Sequence, residues 1–150
     1  MQRLFLGLII TSIVGTTATD ALASRQYRSF LSQTNNSVLV AKANPSQFVS
    51  VEHPTSGQVR IVEEDGSRYL EIAEDFQSDR GPALEVILHK SNTVGLKVQE
   101  GDYVSLGKLK SFNGAQRYLI PEAIDLGQYQ SVAIWCEEFN ATFGYAPLAK

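Results

Sequence analysis

The sequence predicts an all-β protein, an antiparallel β-sandwich with Greek-key-like connections, because three observations agree. Short runs of β-branched and aromatic residues recur after residue 46, with turn residues about every 8 to 12 positions. Asp65-Gly66 and Asn113-Gly114 tolerate positive φ at both central positions of a tight hairpin turn. No stretch shows a sustained helical period, and only residues 121–126 suggest a short helical turn.

Eight segments carry the strand pattern, and turn or proline chemistry separates them. We expect Asp65-Gly66 and Asn113-Gly114 each to join two adjacent antiparallel strands. Pro82 precedes one predicted strand and Pro121 follows another, since proline lacks the amide hydrogen that a strand ladder requires. In chain order the predicted strands are 48–51, 58–63, 68–73, 84–89, 103–109, 115–120, 131–136 and 141–146.

The first 23 residues have the three-part layout of a secretory signal peptide. Arg3 lies near the start, residues 4–14 are apolar, and Ala21 and Ala23 supply the small residues of a cleavage site. The apolar run of about 11 residues is too short to cross a bilayer, which needs about 20 in a helix. We therefore expect cleavage near Ala23 and a periplasmic or secreted protein without a permanent membrane span.

The remainder divides into a tether and one domain. Residues 24–46 are rich in Ser, Gln, Asn and Thr, and we expect a flexible polar tether there. Residues 47–150 carry every predicted strand but no repeat or internal boundary, so they are expected to form a single domain.

Composition limits the function further. Thirteen basic and 16 acidic residues give a net charge of −3, which argues against a nucleic-acid partner. The hydrophobic share of 43% and the charged share of 19% are ordinary for a globular protein. One cysteine and two histidines leave little material for redox or metal chemistry. Cys136 cannot form a disulfide within this chain, so it is buried, reactive or paired with another molecule.

The residues around Cys136 leave two interpretations open. Alternation along 131–136 places Val132, Ile134 and Cys136 on one face, with Ala133 and Trp135 on the other. A thiol among aliphatic side chains is typical of an inert, buried cysteine.

Charge decides how reactive that thiol could be. Glu137 and Glu138 oppose formation of a thiolate, whereas Arg117 would favour the thiolate if it approached the sulfur. Structural packing and redox or ligand chemistry therefore both remain possible.

The sequence gives less support to other metal or catalytic sites. His53, His89 and Cys136 offer two imidazoles and one thiol, the set that holds copper in some β-sandwiches. Such sites usually place a histidine and an axial ligand shortly after the cysteine, and this sequence has neither there, so we expect no metal. No GxSxG motif is present. No residue set supports an enzyme with its own turnover.

Three motifs in fixed order resemble the DM13 domain, an extracytoplasmic module. They are LGKLK at 106–110, QRYLIP at 116–121 and IWCEEF at 134–139, within a match over roughly 47–148. The resemblance implies a β-sandwich-like fold and an electron-transfer role centred on Cys136, as a bare thiol or as a ligand to a group such as haem. At His89 the sequence departs from the small polar residue expected before Lys90-Ser91, which could add a second ligand for such a cofactor.

Two functions follow as expectations. The first is an exported redox module using Cys136, which needs a separate redox partner because a lone thiol cannot cycle between dithiol and disulfide. The alternative is a non-catalytic binding or interaction module of the cell envelope, with Cys136 as a buried structural thiol. Its ligand platform would draw on the aromatic residues Tyr118, Tyr129, Trp135, Phe139, Phe143 and Tyr145.

Overall fold

The structure, a computed structural model, describes residues 44–149. The predicted export signal, residues 1–23, and the predicted tether up to residue 43 lie outside the described residues. Ser46, at the end of the predicted tether, already belongs to a strand. Within 44–149 no helix is long and apolar enough to span a membrane.

The described residues form short antiparallel strands and one single-turn 3-10 helix. Each of the eight predicted strands recurs with bounds shifted by no more than a residue or two, and three further two-residue strands, Ser46–Gln47, Thr55–Ser56 and Gln77–Ser78, have no counterpart among the predictions. The strands are β1 (Ser46–Gln47), β2 (Val49–Ser50), β3 (Thr55–Ser56), β4 (Gln58–Glu64), β5 (Ser67–Ile72), β6 (Gln77–Ser78), β7 (Leu84–His89), β8 (Tyr103–Lys108), β9 (Gln116–Ile120), β10 (Ser131–Cys136) and β11 (Ala141–Pro147), with the 3-10 helix at Leu126–Gln128.

The strands pair into two main sheets whose inner faces share one core. The first sheet has the order β1-β4-β5-β9, the second has the order β2-β11-β10-β7-β8, and β3 pairs with β6 alone. Leu70 and Tyr118 of the first sheet lie in the same hydrophobic cluster as Val86, Val132 and Ile134 of the second. Two antiparallel sheets packed face to face are a β-sandwich, so the predicted all-β, antiparallel sandwich class is confirmed.

Strand β10 is buried on both faces. Val132, Ile134 and Cys136 point into the core between the sheets. Ala133 and Trp135 point to the other face, where residues of the 90–102 connection, including Val94 and Val98, cover them together with Ile87. The predicted alternation along 131–136 is therefore confirmed, and the run is apolar throughout because neither face meets water.

One predicted hairpin is confirmed and the other is wrong. Asp65 (φ 51°) and Gly66 (φ 75°) join β4 to β5. Asn113-Gly114 does not join adjacent strands, because β8 pairs with β7 in the second sheet and β9 pairs with β5 in the first. The dipeptide instead lies in the connection that carries the chain from β8 in the second sheet to β9 in the first. There the Gly114 amide donates to the Phe76 carbonyl over 3.0 Å.

The short helical turn forms slightly later than predicted. Pro121 follows the last residue of β9, as expected, but the 3-10 helix covers Leu126–Gln128. Asp125 caps it, since its carboxylate accepts a hydrogen bond from the Gly127 amide at 2.9 Å. The cap leads the chain from the first sheet back into β10.

Candidate functional site

Cys136 is the last residue of β10, and its side chain lies in the core. In the second sheet it pairs with Leu84 of β7 on one side and Ala141 of β11 on the other. The residue is 1% exposed and its thiol is free. The thiol donates a hydrogen bond to the carbonyl oxygen of Pro82, with the sulfur 3.0 Å from that oxygen. In this conformation the sulfur is closed to solvent.

Residues 81–84, here called the covering turn, lie over the sulfur. The central residues Pro82 and Ala83 are exposed, whereas Leu84 is buried. Ala83 has a φ of 47°, in the left-handed region. Proline at the first central position and positive φ at the second are features of a type II turn, in which the second position favours glycine. Alanine there costs about 1 to 2 kcal/mol, so the covering turn is strained.

Three contacts hold the covering turn in place. The thiol of Cys136 and the amide of Glu137 donate to the Pro82 and Ala83 carbonyls respectively, the second over 3.1 Å. Gly81 packs so closely on Phe143 that a Cβ there would lie 2.6 Å from the ring carbon Cζ. Only glycine fits at position 81 without displacing the turn or the ring.

The segment before the covering turn is tied down more loosely. His53 Nδ1 lies 3.4 Å from Asp79 Oδ2, and both side chains are exposed. The His53 ring stacks against the ring of Phe143, with centroids 4.1 Å apart. The Asp79 amide donates to the Pro54 carbonyl over 3.2 Å. Contacts between exposed polar side chains contribute little, so these contacts orient the segment more than they stabilise it.

His89 lies far from Cys136. Strand β10 gives the distance between them, because His89 pairs with Ser131, which lies five residues before Cys136 on that strand. Five residues of strand correspond to about 17 Å, and the odd offset puts the two side chains on opposite faces of the sheet. His89 is buried and its Nδ1 accepts a hydrogen bond from the Ser91 amide at 3.1 Å. The structure therefore does not bring the two candidate ligands together.

The histidines and the thiol form no common metal site. His53 stacks near the covering turn, and His89 lies at the opposite end of β7. Within residues 44–149, no three His, Cys, Asp or Glu side chains are grouped so that they could hold a metal ion. The copper alternative thus has no ligand set among the described residues.

Haem does not fit at Cys136 either. A thiolate ligand needs a sulfur that faces a space of several hundred Å³, whereas this sulfur is packed between neighbouring strands and hydrogen-bonded to Pro82. A cavity of about 540 Å³ does occur, but it lies over the first sheet. Its lining includes Arg60, Glu71 and Arg117, and Cys136 is not among the lining residues.

Arg117 does not approach the sulfur. It lies on β9 in the first sheet, on the face opposite the buried Tyr118. Its guanidinium donates to Glu64 over 2.6 Å and lies 3.8 Å above the Tyr69 ring. The hydrogen bond that the guanidinium donates to Glu64 is the main reason why the pKa of Arg117 is raised above its ordinary value. The approach of this cation to the sulfur, which the sequence left open, is therefore not found.

The aromatic residues do not assemble into one ligand platform. Tyr118 and Phe143 lie in the core between the sheets, and Trp135 lies in the second cluster, where its ring contacts Tyr103 at a centroid distance of 4.9 Å. Phe139 is the exception, since 61% of it is exposed. Most of these side chains therefore serve packing.

Two features of this region escaped sequence reasoning. Asn140 has a φ of 48°, and its Oδ1 accepts hydrogen bonds from Trp135 Nε1 and the Val98 amide, both at 3.0 Å. It thereby fixes the turn between β10 and β11. The covering turn is the second feature, and the Gly81-Pro82 pair that marks it predicts only the start of a strand.

Comparison with known proteins agrees with the motifs. A family model described as electron transfer DM13 matches residues 47–148, which is more than half of the chain. No curated protein and no solved structure gives a significant match. The matched range contains β10, the covering turn and both main sheets except Ser46 of β1. The chain therefore belongs to the DM13 family of electron-transfer domains.

Proposed function

We propose that this chain is an electron-transfer module whose redox group is the thiol of Cys136, exposed when the covering turn opens. The observation that carries the proposal is the hydrogen bond from the buried thiol to the carbonyl of Pro82, a residue that is itself exposed. One turn of chain therefore lies between the sulfur and water. The family's electron-transfer description supports a redox role for the domain.

Opening of the covering turn requires less free energy than unfolding of the whole domain. The thiol of Cys136 and the amide of Glu137 each lose one hydrogen bond, and the strain at Ala83 is released. Local openings of this kind lie well below the global free energy of unfolding. Exposure of the sulfur is what makes the thiol reactive, because a disulfide cannot reach a sulfur that is 1% exposed while the covering turn is closed.

The chemistry is thiol–disulfide exchange with a separate redox partner. The exposed thiol of Cys136 loses its proton, and the thiolate attacks an acceptor disulfide X–S–S–X, forming Cys136–S–S–X while X–S⁻ leaves and is protonated. Two donor thiols, D–SH, then reduce this mixed disulfide to Cys136–SH and X–SH and become D–S–S–D. Two electrons pass from donor to acceptor. The partner supplies the second sulfur because this sequence holds a single cysteine.

We place this activity outside the cytoplasm, after cleavage near Ala23. The support is the three-part pattern of residues 1–23 in the sequence. Periplasmic and secreted compartments are oxidising, so disulfide acceptors are at hand there.

Disulfide exchange on the folded protein tests the proposal. Reduced protein and a Cys136→Ser variant are incubated with 2-hydroxyethyl disulfide, and adducts are detected by intact mass. We expect an adduct on the wild type that a dithiol reverses, and none on the variant. The serine hydroxyl can still donate to Pro82, so the variant stays folded and loses roughly 1 kcal/mol. A wild type that reacts only once unfolded would contradict the proposal.

The cavity favours a second candidate function, a cell-envelope binding module. Its volume of about 540 Å³ is within the range of small-ligand sites, and Arg60, Glu71 and Arg117 lie together on its wall. A thermal-shift screen with saccharides and small carboxylates tests this function. A shift in the wild type that Arg60→Gln abolishes would support it, and no shift with any compound would count against it.

A further inference from the structure

Two large apolar side chains stand exposed beside the turn between β10 and β11. Phe139 is 61% exposed and Leu96 is 49% exposed, and neither belongs to a core cluster. Their segments touch, since the Thr142 amide donates to the Leu96 carbonyl over 2.8 Å and Lys97 Nζ donates to the Phe139 carbonyl over 3.4 Å. We call Leu96 and Phe139 the apolar tip. Packing of the domain does not account for it.

The apolar tip borders the covering turn. Phe139 lies three residues after Cys136, and the intervening Glu137 donates its amide to the Ala83 carbonyl. A partner that binds the apolar tip is therefore placed next to the turn that must open for the thiol to react.

Carboxylates dominate the charge around the apolar tip. Glu137 and Glu138 are exposed in the same turn. Glu52 is exposed as well, and its amide donates to the Thr142 carbonyl over 3.2 Å, which brings it to the same end of β11. Lys97 is the cation beside Phe139, and its ammonium is held by that residue's carbonyl.

The other cations at this end of the second sheet are already engaged. Lys108 lies directly opposite Glu85 in the β7–β8 pairing, so their charges offset each other. Arg80 precedes the covering turn, but its guanidinium lies 5.4 Å from the centre of the Phe112 ring and is directed there. The rim of the apolar tip is therefore acidic.

Building on the proposed function, we propose that the disulfide acceptor is a basic partner protein whose apolar patch receives Leu96 and Phe139. Lysine or arginine side chains around that patch would pair with Glu137, Glu138 and Glu52. Small interfaces with an apolar centre and a charged rim suit transient redox encounters, in which charge complementarity raises the association rate. The acidic rim excludes acceptors that carry negative charge.

Matched peptide disulfides test this proposal. Two symmetric disulfide-linked peptides of equal length, each with Phe beside its Cys, carry either flanking lysines or flanking glutamates. We expect the wild type to react about tenfold faster with the lysine peptide at low salt. High salt should shrink that ratio. The double variant Glu137→Gln, Glu138→Gln should lose most of this preference for the lysine peptide. Leu96→Ser with Phe139→Ser should slow the lysine peptide but not 2-hydroxyethyl disulfide.

Ratios and a charge control separate the possible failures. The ratio of the two peptide rates is used because any effect of the glutamine substitutions on the thiol itself is the same for both peptides and cancels. Glu63→Gln with Glu122→Gln makes the same charge change on the first sheet and should leave the ratio unchanged. Equal rates for the two peptides, with normal reaction of 2-hydroxyethyl disulfide, would overturn the docking proposal alone. No reaction with any disulfide would overturn the proposed function itself.

Discussion

The amide of Glu137 donates to the carbonyl oxygen of Ala83 over 3.1 Å, one residue beyond the thiol that donates to Pro82. Two consecutive donors at the end of β10 therefore hold both central residues of the covering turn. Exposure of Cys136 is thus a property of this turn, and the rest of the core can stay intact when the turn opens.

Ala83→Gly should close the covering turn more firmly. Glycine adopts the φ of 47° without strain, and Ala83 is exposed, so no packing is lost. After the entropy cost of glycine, we expect a stability gain of about 0.5 to 1 kcal/mol. Alkylation of Cys136 under native conditions should slow about two- to fivefold. Urea titration and the alkylation rate measure the two effects.

Asp65→Gly is the matched control for this variant. Asp65 also has positive φ, 51°, but it lies in the β4–β5 hairpin of the first sheet. We expect a smaller gain in stability, because Asp tolerates positive φ better than Ala does, and no change in the alkylation rate. Equal slowing in both variants would mean that the thiol is reached only by global unfolding.

Gly81→Ala should have the opposite effect on the thiol. The new Cβ would lie 2.6 Å from Phe143 Cζ, so the covering turn must shift. We expect a loss of about 1 to 3 kcal/mol of stability. Alkylation of Cys136 should become at least about fivefold faster. Gly95→Ala is the control, because a Cβ there meets nothing within 4 Å. A slower reaction in the Gly81 variant would contradict the proposal that the covering turn controls access to the thiol.

Asn140 should be needed for the turn that leads away from Cys136. Asn140→Ala removes the acceptor of Trp135 Nε1 and the Val98 amide and keeps the positive φ of 48°. We expect a cost of about 2 to 4 kcal/mol. Asn140→Gly should cost about 1 kcal/mol less, because the strain is absent. Urea unfolding followed by fluorescence of the single tryptophan measures both, and equal costs would exclude the strain contribution.

Acid should weaken the 3-10 helix that precedes β10. Hydrogen bonds from the Gln128 side chain, first, and the Gly127 amide lower the pKa of Asp125 below its ordinary 3.8. A lowered folded-state pKa favours folding above pH 3.8, and this contribution is lost as the pH falls through the folded pKa. The wild type should therefore exceed Asp125→Asn in urea midpoint at pH 7, by a small margin that vanishes near pH 2. A margin that persists at pH 2 would contradict this origin.

Local patterns in the sequence were enough to predict much of the fold. The apolar run 131–136 gave the two faces of β10, and Asp65-Gly66 gave the first hairpin, because both depend on neighbouring residues only. The hairpin predicted at Asn113-Gly114 is wrong for the same reason. Turn chemistry specifies a bend, but it does not specify which sheet receives the next strand.

The site depends on contacts that sequence patterns do not contain. Pro82 and Cys136 are 54 positions apart, and they meet only because β7 pairs with β10 in one particular register. The same pairing sends His89 to the far end of the sheet. The prediction that Arg117 lies on a strand is confirmed, but that strand belongs to the first sheet. Its guanidinium therefore pairs with Glu64 and does not contact the sulfur.

The urea dependence of Cys136 modification is the most direct test of whether opening of the covering turn alone exposes the thiol. Folded protein is treated with 2-hydroxyethyl disulfide at urea concentrations below the unfolding transition. Because opening of one turn exposes little surface, we expect a rate that is nearly independent of urea in this range. If the logarithm of the rate instead rises from zero urea with the full slope of global unfolding, Cys136 is a structural thiol and the electron-transfer assignment to it fails.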